Sequence, residues 1–560
     1  MYVREIEKPN GSIQIVIVES FRDGEKVRQR TVRNLGTHKD PAQLEFMRKA
    51  AADLIPLIQD ERTPLLPCFS PAEFFEVKKK AQSKREHQSL SIPDLAEESR
   101  ISHGINDVFG ALLAEFKLNN LNGNQPKEVS RTRESSYLNI LNHCILERVR
   151  DPVSKRKTAL NLAQNGQENI PVHKIYRMMD WLSKYEDAVK KNILNATLNL
   201  LNHKVDVLLF DVTTLYFESF DEDELRQFGF SKDCKFKETQ VVLALVTTKE
   251  GLPITYELLP GKTSEAKTLI QIVANLKTRF NVEDLLIVAD RAMFSNDNLQ
   301  YLEGLGVNYI VAAKLKVLKK EFKDAVISSE NRIAVNEQSR DWYKELEHNN
   351  RRVIVTYSET RANKDKKDRD RLRERLEKMI KKDSSQVKVS SLITNRGTKK
   401  YLKIEDAGRA TLNEEKFEND SKWDGIHGVI TNKRGATVTE VLNNYKALWR
   451  IEEAFRVNKN DLRMRPIFHW KPNRIKAHIL ICFLAYALSS GLRYRLKENG
   501  LNISFEKIRD ELKRVQSSII KNKKTNARVL LPSKTTELQR AIYKTVKLEL
   551  NEKVTALPNL

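Results

Sequence analysis

The first forty residues alternate apolar and polar positions, as in SIQIVIVES, with turn signals at Asn10-Gly11 and Asp23-Gly24, and predict a small β meander over 1–40. From 41 to 203 the spacing becomes helical, with a polar joint around NNLNGNQPKE. At about 204 the texture changes. VDVLLFDV predicts a buried strand ending in Asp211, and QVVLALVTTKEGLPITYELL predicts two strands joined at a Lys249-Glu250-Gly251 turn. SEAKTLIQIVANLKTRF follows as a helix, then DLLIVAD as a strand ending in Asp290, the short helix NDNLQYLEGLG and the strand NYIVAAK.

Three strands, a helix and a strand that ends in a second aspartate follow the order of a ribonuclease-H-like α/β sheet. Functional groups collect at strand ends in such sheets. Residues 204–315 are its first part and 434–500 its second. Between them, 316–433 interrupt the unit with material expected to be mainly β, such as RRVIVTYS, KVSSLIT and GVITN, around the charge run KDKKDRDRLRERLEKMIKK. That run reads most simply as a solvated helix. A basic, helical region is expected over 501–560. HILICFLAYALSSGL, from His478, is flanked by Arg474, Lys476 and Arg493 and is short for a bilayer span, so it predicts a buried core helix and no membrane partner.

Composition narrows the class. Lys and Arg total 98 against 75 Asp and Glu, a net charge of +23, which points to a polyanion such as nucleic acid or else to a merely basic solvated surface. Cys68, Cys144, Cys234 and Cys482 lie far apart without C-x-x-C spacing, giving neither a disulfide framework nor a zinc site and fitting a reducing cytoplasm. The charged start, MYVREIEKPNGS, does not resemble a secretory signal. Gly261-Lys262-Thr263 lacks the first glycine of a phosphate-binding loop, where Tyr256 stands, and GLGVNY leads into a strand instead of a helix.

Asp211 and Asp290 each close an apolar run, and a buried carboxylate is costly unless it is paired or bound to a metal. Either one alone could be an ordinary aspartate capping a turn. A third acid arises in YKALWRIEEAFRVNK. On a continuous helix Tyr445, Glu452 and Lys459, seven apart, fall within about 20° of one another in turn, while Glu453 points about 100° away. Arg456 lies four residues after Glu452 and can pair with it, and Trp449 and Phe455 flank the face and could anchor it on the sheet.

This stretch resembles the Y-x2-R-x3-E-x6-K signature of bacterial insertion-sequence DDE transposases of family four, in the group with a large insertion before the catalytic Glu. Tyr445, Glu452 and Lys459 match its Tyr, Glu and Lys, whereas its Arg position is Leu448 here. Arg450 or Arg456 would have to supply the lost cation. DVTTLYF, ADRAMFS, GIHGVITN and the N-terminal RQRTVRNLG are similar to the group as well. The resemblance covers about 204–495.

The resemblance implies that Asp211, Asp290 and Glu452 are the catalytic residues and hold two Mg2+ ions, with Mn2+ able to substitute, for in-line attack on phosphorus. It implies double-stranded DNA partners, namely transposon ends and target DNA, and a homodimer or higher assembly in the DNA complex. Strand cleavage and transfer would pass through a hairpinned end. Tyr445, Lys459, Arg450 and Arg456 would contact DNA, and Trp423 or Trp342 would receive a flipped base. Recognition of the ends is expected in 41–203 and the basic C-terminal part, and the location is a bacterial cytoplasm, at the nucleoid. Two other readings stay open: a non-catalytic DNA-binding derivative, and a ribonuclease-H-like nuclease. The Tyr445 and Lys459 stripe and the long insertion favour transposition over the last.

Overall fold

The computed structural model describes residues 2–9, 11–23, 26–59, 94–121, 131–164, 169–218, 221–229, 238–263, 272–273, 285–290, 295–382, 399–404 and 410–558. The chain divides into two units, one formed by Met1–Gly104 with Asp510–Leu560 and the other by Ile105–Arg509.

In the first unit β1 (Tyr2–Glu7), β2 (Ile13–Asp23) and β3 (Lys26–His38) form an antiparallel sheet in chain order. Ile15 and Ile17 alternate onto one face of β2 and are fully buried with Leu44 and Ala51 of the helix Pro41–Gln59. A strand that the sequence reading lacks, β4 (Leu95–Ser102), comes next.

The second unit is built on one large sheet. β5 (Val207–Tyr216), β6 (Gln240–Thr248) and β7 (Pro253–Pro260) pair antiparallel with one another in turn, and β8 (Leu286–Ala289) and β9 (Asn308–Ala312) run parallel to β5. The order β7-β6-β5-β8-β9 is the ribonuclease-H-like arrangement. Leu208, Phe210 and Val212 of β5 enter a core with Ala244, Ile287 and Tyr309, so Asp211 faces the other way. The helix expected over 264–280 lies outside the described residues except for Ile272 and Val273, both buried in that core.

The interrupting segment contributes β10 (Ile333–Ala334), β11 (Trp342–His348), β12 (Arg351–Tyr357), the small pair β13 (Leu402–Ile404) and β14 (Ala410–Leu412), and β15 (Ile426–Thr431). It is not mainly β, because it also carries the helices Lys320–Ile327, Glu359–Lys382 and Glu414–Ser421. Nor is it a separate lobe. Among the described residues β10-β11-β12-β15 continues this sheet to nine strands, with β15 antiparallel to β9. The charge run is helical, and one flank of it is engaged: Arg369 pairs with Asp424, and the Gly425 N–H donates to Asp365 Oδ2 at 3.0 Å. KVSSLIT lies outside the described residues.

Where the sequence predicts one helical unit over 41–203, the structure divides it. The helices Arg131–Arg150, Val172–Leu182 and Glu186–Leu200 pack on Pro472–Glu498, whose apolar 18-residue stretch is 89% buried. Arg474 clamps Asp180 with two hydrogen bonds of 2.8 Å. That partner lies some three hundred residues downstream, beyond the reach of local pattern.

Burial, reinforced by the Lys155 and Arg148 charges, holds His469 down at about 3, and burial drives His478 well below the ordinary imidazole range. Both rings are neutral when folded and gain protons on unfolding, so their stabilisation is full above about pH 6.5 and is lost as pH falls toward 3. Denaturant midpoints should therefore fall steadily between pH 6.5 and 4.5, and His469→Phe should flatten that slope.

The C-terminal residues are not purely helical. The helix Phe505–Lys513 leads to β16 (Gln516–Asn522) and β17 (Arg528–Pro532), then the helix Glu537–Thr545 and β18 (Thr555–Leu557). They complete the first unit as a sheet in order β18-β17-β16-β4. The β16–β4 register shifts between Ile519, paired with Ser99, and Ile520, paired with Glu97, so Glu98 of β4 is the extra residue of a bulge.

Candidate active site

β5 carries the first candidate residue. Asp211 does not end its strand, which runs on through the β-branched and aromatic positions to Tyr216 while pairing with β6. It lies instead where β8 leaves: the parallel register closes at Phe210 and Ala289, and Asp211 and Asp290 are the next residue on each strand. Neighbouring strands are about 4.8 Å apart, so the two aspartates sit on adjacent chains at the same level of the sheet. Asp211 is half-buried, with Oδ1 accepting the Val212 N–H at 2.8 Å, and Asp290 is exposed.

The third acid arrives on a broken helix. Thr437 and Glu440 form a capping box that starts Val438–Lys446; the chain turns at Ala447-Leu448, resumes as Trp449–Arg456 and widens into a π-helical turn over Val457–Asp461. Ile451, Ala454 and Phe455 are buried, and the helix packs against β5 and β6. Glu452 is exposed, and among the described residues its carboxylate has no hydrogen-bond or ion-pair partner. Arg456 pairs with Glu453 at 3.7 Å and with Asp461 at 4.0 Å, not with Glu452. Arg493 also reaches Glu453, at 3.1 Å. Trp449 does not anchor the helix: it is 54% exposed because it opens the new helix after the turn.

Lys459 donates to Thr213 Oγ1, two residues beyond Asp211 and on its face of β5, so the lysine is fixed beside the first acid. Arg450 is committed to the protein, with Nη1 donating to the Glu250 carbonyl at 3.3 Å and the guanidinium 5.1 Å from the Trp449 ring. Tyr445 packs at 5.2 Å against His427 of β15, the rings tilted by 38°.

Asp290, Tyr445, His427 and Trp423 line one cleft of about 930 Å³, together with Lys316, Arg361, Lys400 and Tyr401. Lys316 lies 5.8 Å from the Trp423 ring, and burial lowers its pKa. Trp342 is elsewhere, stacked on Tyr357 at 5.6 Å and covered by Arg332 at 4.2 Å. Thr213, His427 and Lys316 escaped the sequence reading. Only Thr213 left a signal there, as the polar residue two positions after Asp211.

The three acids do not form a ready cage: among the described residues no three His, Cys, Asp or Glu side chains lie close enough to hold a metal ion. The donor set nevertheless suits a hard divalent cation, with two juxtaposed carboxylates and a third, unpaired one on a helix packed against the same strand.

Residues 202–488, just over half of the chain, match the family model described as the transposase DDE domain, and residues 4–57 match the N-terminal domain of IS1634 family transposases. The RQRTVRNLG segment lies inside the second match. No curated protein matches the chain. Among solved structures, the piggyBac transposase synaptic complex with hairpin DNA aligns over 73% of this chain and 78% of that chain, with 7% identity and a TM-score of 0.39. The Mos1 transposase paired-end complex with left transposon end aligns over 46% and 72%, with 14% identity and a TM-score of 0.14.

Proposed function

We propose, for a chain that belongs to the transposase DDE-domain family and is a DNA transposase, that it cleaves the terminal inverted repeats of its insertion sequence and joins the freed ends to target DNA, using Asp211, Asp290 and Glu452. The juxtaposition of Asp211 and Asp290 at the point where β5 and β8 part carries this reading.

Asp211 and Asp290 would hold the metal from the sheet, and Glu452 would complete the set once DNA is seated. Bound Mg2+, or Mn2+ in its place, supplies activation of the attacking oxygen and neutralises the leaving one. Lys459, held by Thr213, presents its ammonium to the phosphate next to Asp211, and Tyr445 borders the cleft at Asp290. Arg450 and Arg456 brace the helix in the free protein, and contact DNA only if they exchange those partners for phosphate. Two protomers would hold two DNA ends. Basic residues of the N-terminal helical part and of 501–560 are the candidates for reading the repeats.

Cutting through a hairpin leaves one nucleotide extruded, and the Trp423 cleft suits it: the ring borders the cavity that Asp290 lines, with Lys316 beside it for the phosphate. Trp423→Ala should slow hairpin formation about tenfold on end-labelled DNA while first-strand nicking persists, and Trp342→Ala should leave both steps unchanged.

The decisive experiment incubates the purified protein with Mg2+ and duplex DNA carrying its terminal repeats. Nicks and hairpins at the repeat boundary are expected. Failure to cleave in either Mg2+ or Mn2+ returns the chain to a DNA-binding derivative, and cleavage of branched or RNA-containing duplexes without preference for the repeats makes it a nuclease.

A further inference from the structure

Beyond the π turn that carries Lys459, residues 462–470 form a strap without regular secondary structure. Leu462, Met464, Ile467 and His469 point inward and are buried, whereas Arg463, Phe468 and Trp470 point outward. The inner side is firmly held. The Met464 N–H donates to the Asn458 carbonyl at 2.8 Å, the Met464 carbonyl accepts from His478 Nε2 at 3.0 Å, and Arg509 Nη1 donates to the Asp461 carbonyl at 3.2 Å. The His469 ring meets Tyr176 edge-on.

The outer side is unusual. Phe468 and Trp470 are each 62% exposed, although burying such rings would be worth about 25 cal/mol per Å². Trp470 is nonetheless held in place: it lies 5.6 Å from the guanidinium of Arg226, which Phe217 covers at 5.8 Å and Asp223 binds at 2.7 Å. Arg465 rests 5.4 Å from the ring of Tyr216, the last residue of β5. Two displayed rings on an anchored strap, with Arg463, Arg465 and Lys471 beside them in the sequence, combine what an unpaired nucleic-acid strand needs: π faces for bases and cations for its backbone.

We propose that this strap is a stacking platform for an unpaired stretch of the DNA strand that runs from the active site, a reading that rests on the proposed transposase chemistry. Tyr216 is five residues past Asp211 on β5, about 16 Å at roughly 3.3 Å per residue, so the platform meets the strand a few nucleotides from the bond being cut. The positive flank favours DNA over a second protein as the occupant.

The test titrates the full-length protein with labelled oligothymidine of about a dozen nucleotides and with the duplex transposon end. Trp470→Ala and Phe468→Ala should each weaken single-strand binding about tenfold, Trp470→Phe should restore most of it, and duplex binding should stay within about twofold. Circular dichroism of each variant should match wild type, as expected for exposed rings. Unchanged single-strand binding in the double alanine variant overturns the proposal. So does loss of self-association in sedimentation with strand binding intact, which assigns the face to a second copy of the chain. Asp211→Asn separates the two readings: it should abolish cleavage and leave platform binding intact. A wild type that binds through Trp470 without cleaving DNA defeats the catalytic reading alone.

Discussion

Glu452→Gln should lower cleavage at the transposon ends by about a thousandfold or more, the scale at which removing a charge-stabilising group from a transfer site is felt. Its neighbour supplies the control. Glu453 is committed to Arg456 and Arg493, so Glu453→Gln gives up partly exposed ion pairs worth about 1 kcal/mol and should leave cleavage within a fewfold of wild type. DNA binding should survive in both variants, measured by gel shift with the same labelled ends. Equal loss in the two variants, or a larger loss at Glu453, would remove Glu452 from the catalytic set.

The largest expected effect on stability lies away from the site. Arg150 and Glu147 form an ion pair of 2.8 Å with side chains only 4% and 1% exposed, and Arg150 also donates to Asn106 at 2.9 Å. Arg150→Met leaves the carboxylate buried without its cation and should cost about 3 to 5 kcal/mol in denaturant unfolding. Burial already raises the Glu147 pKa, so the variant's deficit should shrink as pH falls and the carboxyl takes up a proton. Adding Glu147→Leu should recover much of the loss, because a well-packed apolar pair replaces a broken ionic one. If Arg150→Met unfolds at the wild-type midpoint, the pair is not an essential brace of the helices around Pro472–Glu498.

The strands around the acids were legible because each is a short apolar run bounded by turn chemistry, and β5 through β9 follow that pattern closely. What local pattern missed is long-range or irregular. Tyr445, Glu452 and Lys459 were placed on one stripe by assuming a continuous helix, but the turn at Ala447-Leu448 and the π turn at Val457–Asp461 each change the phase. Lys459 reaches β5 through Thr213, and Tyr445 reaches the cleft through His427, by tertiary packing and not by helical repeat. The pairing assumed between Glu452 and Arg456 failed for a related reason. At a spacing of three, Glu453 met the arginine first, and Arg493 from another helix reinforced it. The β16 and β17 hairpin was hidden by the basic run KNKKTNAR between its strands, and the partner of β4 lay more than four hundred residues away.

The return of β15 to the edge of β9 also governs when the chain can become an enzyme. Ala312 and Val429 are adjacent in the sheet, yet the whole interrupting segment lies between them, so their pairing closes a long loop. During synthesis the two aspartates emerge first, and the helix bearing Glu452 follows only after the whole interrupting segment has been made. A chain cut short anywhere before about residue 450, by a nonsense codon or a protease, keeps two acids and never gains the third. Partial copies of the gene should therefore yield products that leave the chromosome uncut.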